Sequence, residues 1–488
     1  RNSTGRARLL LLFQVNCPQL SPQCTRRSAH PHPLQFQAGA PSGPVPTPKT
    51  FCRPTHCAAG MPDSGFVPEL SERAQDRLAD KKLCILMVGL PARGKSYIAK
   101  KLRRWLNWTG YTTQVFNVGN RRRKSATTPA QDAAFFDHTR PALNRLRDEL
   151  AMTSLAECID WLRREGSVAI HDATNTTKER RMLLLERCQQ ESDWMQTLFV
   201  ESICTDEAVL NENIAMKLQS PDYINMDPHK ARADFLARLD NYMRVYQPIQ
   251  EEEMLAYIKV INVGRRVIAN EIHGFLGSQI VFYLLNMHIR SRRIWLTRHG
   301  ESEDNVLDII GGDSPLTERG HEFSRRLGLF FKAHPVKTVW TSTLQRAVQT
   351  AQSLSEELPV TKLRVLNELH AGACDGMSYR EMKVKQPDLF SARQAHKLSF
   401  RYPSGGESYL DVVERLRPTI IELERLQEDT LVITHRGVMR TIIAYFMDVP
   451  LERLPYIEVP LHTLVCLTPS AYGCQQDMFP LMDAPSKL

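Results

Sequence analysis

The stretch LCILMVGLPARGKSYIAKKLRRWLNW, residues 83–108, constrains the fold more than any other part of the chain. Six apolar residues, Leu83 to Val88, read as a buried strand. A glycine-bounded loop follows, and then Ile98, Leu102, Trp105 and Leu106 recur at helical spacing. Gly89, Gly94, Lys95 and Ser96 meet the G-x-x-x-x-G-K-[ST] template. Backbone N–H groups can converge on phosphate oxygens only where no side chain intrudes. The lysine then brings a mobile charge to the outer phosphates, and the hydroxyl can ligate Mg²⁺. With a strand before the loop and a helix after it, chance is the weaker explanation of the match.

A phosphate cradle of this kind needs a carboxylate on a neighbouring strand, and SVAIHDATNTT at 167–177 offers one. Val168 to Ile170 read as a buried strand that places Asp172 at its carboxyl end, where ligands of parallel sheets collect. Such an aspartate is by itself most often a helix cap. Its pairing with the glycine loop favours the phosphate reading. Arg104, the run Arg121 to Lys124, Arg180, Arg181, Lys217 and Arg238 recur at expected strand ends. Charge runs are usually solvated faces, but convergence above the sheet edge would suit an acceptor that itself carries phosphate.

The second half carries different chemistry. RRIWLTRHGESEDN reads as a strand, Ile294 to Thr297, that delivers Arg298 and His299 to its end. VWTSTLQRAVQT gives another strand and then Arg346, NELHAG places Glu368, and TLVITHRGVMRTIIAYF ends a last strand at His435. Neutral imidazole is a competent nucleophile toward phosphorus, guanidiniums hold equatorial oxygens, and a carboxyl group can protonate a leaving oxygen. With fifteen histidines in the chain, any one alone is unremarkable; the R-H-G-E tetrad with a later strand-terminal histidine is not. A metal site is the competing chemistry, yet only Glu301 lies at ligand spacing near His299.

At 488 residues there is room for two or three domains. The net charge of +9 would suit a nucleic-acid binder if it lay on a folded surface. It does not: residues 1–60 hold seven Lys or Arg and no Asp or Glu, leaving 56 basic against 54 acidic residues elsewhere. That leader also holds nine of 29 prolines, a composition that favours disorder, and Met61 is the expected natural start. LLLLF at 9–13 lacks a convincing cleavage site, and no stretch of about 20 uncharged apolar residues suggests a membrane span. Seven cysteines beyond the leader are scattered without a C-x-x-C pair, which suits a reduced, cytoplasmic setting.

With these residues in hand the chain, from about Lys81 onward, resembles the bifunctional 6-phosphofructo-2-kinase/fructose-2,6-bisphosphatase family. The resemblance is carried by GLPARGKS, FNVG, DATNTT, VESIC, SPDY, YQP, RHGES, GGDS, YPSGGES and PLHT. The forms FNVGNRRR and GRRVIANEIHGFLGSQ look most like fungal members. The resemblance implies an α/β protein. An adenylate-kinase-like P-loop domain (81–290) would make fructose 2,6-bisphosphate, and a phosphoglycerate-mutase-like histidine-phosphatase domain (291–488) would destroy it. Residues 61–80 would form a short preceding segment.

On this likeness Gly89, Ala92, Arg93, Gly94, Lys95 and Ser96 bind ATP, and Ser96 and Asp172 hold Mg²⁺. Arg104, Arg122, Thr174, Arg180, Lys217, Arg238 and Tyr242 hold fructose 6-phosphate, and Cys204, the cysteine of VESIC near the kinase site, is catalytic with Lys95 and Asp172. His299 is the implied nucleophile and Glu368 the proton donor. His435, Arg298, Arg346, Asn305 and Gly311 surround the transferred group. Tyr379, Arg393, Lys397, Tyr409, Arg436 and Arg440 hold the rest of the sugar bisphosphate. Partners would be these metabolites, with no nucleic acid or membrane; a homodimer is left open. Three departures bear on rate and affinity rather than chemistry: Arg436 and Gly437 stand where members commonly have glutamine and alanine, YPSGGES has an extra serine, and the loop after FNVG is unusually basic. The alternative is a kinase-dominant or regulatory member with a weak phosphatase half.

Overall fold

Val168 stands beside Leu83 and His171 beside Leu86, so β3 (Val168–Asp172) runs parallel to β1 (Lys82–Val88) and both strands end on one edge of the sheet. The computed structural model describes residues 81–124, 132–355, 358–470 and 473–483, all within one compact unit. The leader, Met61 and the segment 61–80 lie outside the described residues. Around this pair stand β2 (Thr113–Asn117), β4 (Met195–Ile203), β5 (Tyr257–Ile261) and β6 (Arg266–Asn270), in the order β2-β3-β1-β4-β5-β6. All neighbours are parallel except β5 and β6. Leu83 to Val88 are all buried, as an apolar run in a sheet covered on both faces must be. Successive parallel neighbours of β1 lie on opposite sides, so the loop after β1 opens at a switch point, where crevices form.

The second sheet is built from β7 (Ile294–Arg298), β8 (Thr338–Thr341), β9 (Val360–Lys362), β10 (Thr430–Thr434), β11 (Thr463–Pro469) and β12 (Cys474–Pro480). Its order is β12-β11-β7-β10-β8-β9, parallel from β7 to β9 and antiparallel at β11 and β12. Both halves are therefore α/β, as the motifs imply.

The halves meet through two helices. The P-loop helix, Lys95–Trp108, packs against the helix Arg436–Phe446, which begins just past the end of β10. One apolar cluster runs continuously from Ile85 and Trp105 through Tyr283 to Ile442 and Tyr445. Trp105 stacks on Tyr283 at 4.8 Å, and Trp108 Nε1 donates to the Thr441 carbonyl at 3.1 Å.

Within this cluster sits a buried ion network. Glu424, fully buried on the helix Tyr409–Arg425, accepts from Lys101 at 2.5 Å and from Arg104 at 2.8 Å, with Arg292 at 3.5 Å. The Tyr445 hydroxyl donates to the same carboxylate at 2.8 Å. Burial works against its charge, yet the three cations hold the Glu424 carboxyl well below the usual carboxylate range.

Two basic residues thus depart from the expected convergence above the sheet. Arg104 lies nine residues along the helix from Lys95, about 13 Å at 1.5 Å per residue. It touches the wall of the N-terminal cavity, but one terminal nitrogen is spent on Glu424 and the other on the Phe446 carbonyl at 3.2 Å. Arg181 is fully buried and pairs with Glu253 at 2.6 Å. Among the described residues no helix is long and apolar enough to cross a membrane.

Candidate active sites

Gly89 is where the first site is most demanding. Its φ is +134°, and a Cβ there would lie 2.5 Å from the Ser202 carbonyl oxygen, so only glycine lets β1 turn against β4. Its N–H donates to the Thr174 carbonyl at 2.8 Å, and Asn213 Nδ2 donates to the Ala92 carbonyl at 3.0 Å. Ser202 Oγ donates to the Arg93 carbonyl, and Gly94 (φ +90°) hands the loop to the helix at Lys95 and Ser96. Lys95 Nζ donates to the Leu90 carbonyl at 2.6 Å. Burial presses its ammonium down to about 7, with Asp172 working the other way.

Register sets Asn117 beside Asp172, and Asn117 Nδ2 donates to Asp172 Oδ2 at 2.5 Å. One carboxylate oxygen is thereby oriented and the other left for a ligand. The cavity over this edge measures about 1290 Å³, above the usual few hundred to about 1000 Å³ for one small ligand. It has room for two substrates. Lys95, Ser96, Asp172, Thr174, Arg180, Lys217, Arg238 and Tyr242 all line it, as does Arg122. Cys204 does not; it lies two residues past Ser202, and burial pushes its thiol up.

The organiser of the basic wall is a residue that sequence reasoning missed. Asp222, in SPDY, receives Arg122 at 2.6 Å and Arg123 and Arg238 at 3.3 Å each. Burial opposes its charge, but these guanidiniums still hold the carboxyl below its ordinary range. Phe136 adds a ring face 3.8 Å from the Arg238 guanidinium. Arg180 pairs with Asp148, and Arg147, also missed, lines the same wall.

The second site follows from one line of register. Thr434 pairs with Arg298, so the residues just beyond, His435 and His299, emerge side by side with ring centroids 5.0 Å apart. His299 Nδ1 lies 2.6 Å from the Gly300 carbonyl, which can only accept. The proton therefore sits on Nδ1, and Nε2 keeps its lone pair. Burial, then Arg346 and Arg298, drives the His299 pKa well below the ordinary histidine value; burial, then His299 and the same arginines, does so for His435. Both imidazoles are neutral at physiological pH. Ser342, just past β8, holds His435 Nε2 at 2.7 Å and is another residue the motifs did not flag.

Arg298 is buried beside them and pressed down to about 9 by burial and then by Arg436. Arg346 donates to the Gly312 carbonyl at 2.7 Å, next to Gly311, and Asn305 Oδ1 accepts from the Ser302 N–H at 3.2 Å. Glu368 comes from a loop, not a strand end; Arg415 fixes that loop by donating to the Asn367 carbonyl at 2.8 Å. Farther out, Arg393 donates to Tyr379 at 2.9 Å and to Tyr402 at 2.6 Å, and Arg440 to Tyr409 at 3.0 Å. Lys397 lies 5.0 Å from the centre of the Tyr456 ring, and Arg436 is exposed.

Two family models match, 6-phosphofructo-2-kinase over residues 71–291 and histidine phosphatase superfamily (branch 1) over 294–479. A Saccharomyces cerevisiae protein named 6-phosphofructo-2-kinase 1 is 45% identical over 461 residues, 87% of this chain and 56% of that protein. The chain thus spans little more than half the length of that relative. An Aquarana catesbeiana 6-phosphofructo-2-kinase/fructose-2,6-bisphosphatase is 44% identical, over 84% of this chain and 88% of its own length. A second Saccharomyces cerevisiae protein, named fructose-2,6-bisphosphatase, is 45% identical over 81% and 87% of the two chains. Identity to yeast and frog relatives is alike, so it carries no fungal preference. Two phosphate sites of different chemistry on one chain, matched along most of its length, place it in the 6-phosphofructo-2-kinase/fructose-2,6-bisphosphatase family.

Proposed function

We propose that this chain makes fructose 2,6-bisphosphate from fructose 6-phosphate and ATP at the first site and hydrolyses it to fructose 6-phosphate and phosphate at the second. The observation that carries this reading is the pair of independent strand-end sites: a P-loop facing a cavity large enough for nucleotide and sugar phosphate, and a neutral histidine pair flanked by buried arginines.

At the first site the protein's work is positioning and charge, since phosphoryl transfer needs little covalent help. Lys95 offers an ammonium at the rim of the loop, and the wall organised by Asp222 receives the sugar phosphate. Asp172, oriented through its bond from Asn117, and Ser96 both line this cavity, a donor set that fits Mg²⁺ held jointly with substrate phosphates. The ion would neutralise phosphate charge there. Among the described residues no group of three or more His, Cys, Asp or Glu could hold a metal ion.

At the second site His299 Nε2 attacks phosphorus while Arg298 and Arg346 hold the non-bridging oxygens, and Glu368 gives its proton to the leaving sugar oxygen. Water then returns a proton to Glu368 as its oxygen attacks phosphorus, the Nε2–P bond breaks to leave His299 neutral, and phosphate leaves. The expected setting is cytoplasmic. Product analysis with MgATP and fructose 6-phosphate, and separately with fructose 2,6-bisphosphate, tests the assignment. Lys95→Ala should lose only synthesis and His299→Ala only hydrolysis; loss of both activities in either folded variant would refute two independent sites.

A further inference from the structure

Gly437 is the second residue of the helix Arg436–Phe446, and nothing in its backbone calls for glycine. Its φ is not among the positive ones, and alanine is the better helix former. What glycine leaves there is space. A Cβ at position 437 would lie 2.7 Å from Glu368 Oε1, whereas its next neighbours, Leu369 Cβ at 3.5 Å and Glu368 Cδ at 3.7 Å, are at ordinary contact. The single conflict is with the carboxylate.

That carboxylate fills the space. Oε1 accepts from the Leu369 N–H at 2.9 Å and from the Gly437 N–H at 3.0 Å, and Oε2 lies 3.3 Å from the same Gly437 nitrogen. His435, the residue that caps this helix, offers no side-chain hydrogen bond to its first turn, so Glu368 Oε1 supplies the acceptor at the helix N-terminus. The tip of the side chain is therefore held between its own loop, through Leu369, and the helix turn that His435 caps.

We propose that Gly437 is a positioning residue that fixes where the proton donor rests. The inference rests on the reading of Glu368 as that donor. Alanine at 437 would push Oε1 out by several tenths of an ångström and leave the rest of the fold alone, because the displaced atom is the end of a flexible side chain. Misplacement of a reacting group by about 1 Å can cost roughly a hundredfold in rate, so a smaller shift should cost about tenfold.

The test uses the full chain and four variants: Gly437→Ala, Glu368→Asp, Glu368→Gln and the double variant Glu368→Asp/Gly437→Ala. Hydrolysis of fructose 2,6-bisphosphate gives kcat and KM, and melting temperature and kinase activity report folding. Gly437→Ala should melt at or above the parent, keep its kinase activity and a KM within about twofold, and lose about tenfold in kcat. Aspartate is one methylene shorter and withdraws from the added methyl, so in the Glu368→Asp background the same change should cost less than about twofold. A kcat within twofold of the parent for Gly437→Ala, or an equal loss in the aspartate background, overturns the inference. Near-normal hydrolysis by Glu368→Gln would instead overturn the role of Glu368, and this inference with it.

Discussion

Glu424→Gln is the most informative single change for stability, because one buried carboxylate faces Lys101, Arg104 and Arg292, each less than a tenth exposed. Glutamine keeps the shape and one acceptor for Tyr445 but leaves three cations without a counter-charge. Breaking a buried pair from one side costs about 3–5 kcal/mol, mostly the penalty of the stranded charge. The cheapest relief is for Lys101 to give up its proton, since burial already presses its ammonium down to about 8 against Glu424. An unfolded lysine titrates near 10.4, so the unfolded chain binds more protons between the two values and stability climbs as pH rises through that window. In the parent the window opens near 8; without Glu424 it opens lower. The variant's deficit should thus be about 3–5 kcal/mol near pH 6, shrink as pH rises to 8, and stay level above that. Urea unfolding at pH 6 and pH 9, followed by the fluorescence of Trp105 and Trp108 beside the network, measures it. A loss below about 1 kcal/mol at both pH values, or one that does not change with pH, would refute the reasoning.

Three further outcomes follow from the sites. Lys95 is pressed down to about 7 in the free protein, and bound nucleotide phosphates favour its charged form, so ATP binding at pH 7.5 should take up protons and weaken as pH rises toward 9; calorimetry in buffers of different ionisation enthalpy would detect it, and no buffer dependence would refute it. Asp222→Asn should raise KM for fructose 6-phosphate about tenfold and leave KM for ATP within about twofold, since three guanidiniums lose their common anchor; an unchanged or lower sugar KM would show that the carboxylate only competes with substrate. Arg436→Gln should raise phosphatase kcat severalfold and weaken inhibition by inorganic phosphate, because an added positive charge holds substrate and product alike; unchanged kinetics across a phosphate series would show that this exposed guanidinium points away from the site.

What was legible in the sequence was whatever a strand delivers to its own end. Asp172, His299 and His435 each sit within three residues of a buried apolar run, and Lys95 seven past one at a fixed place in its glycine template, so local pattern was enough to place them. Asp222, Ser342 and Glu424 were not legible, because each acquires its role from at least one distant partner: Asp222 from Arg122 at 100 residues, Ser342 from His435 at 93, and Glu424 from Lys101 at 323. Arg104 shows the cost of reading helices by apolar spacing alone. Lys101, Arg104, Trp105 and Trp108 recur at helical intervals and all are buried, but two are cations, so the stripe that faces the other half did not look like a contact surface. Glu368 was identified by its motif while its support, a loop tied down by Arg415, left no local mark.

The two helices Lys95–Trp108 and Arg436–Phe446 each begin at a candidate site and meet through their later turns, Arg104 and Trp108 against Thr441 to Phe446. A substitution at their shared face, at Trp108 or Thr441, therefore disturbs packing that both helices use. Within these two helices, it is the first turns that face one site each: Lys95 and Ser96 start one helix, and Arg436 and Gly437 start the other. A search for natural or engineered variants with an altered balance between the two reactions should concentrate on those first turns, because substitutions deeper in either helix are inherited as a package.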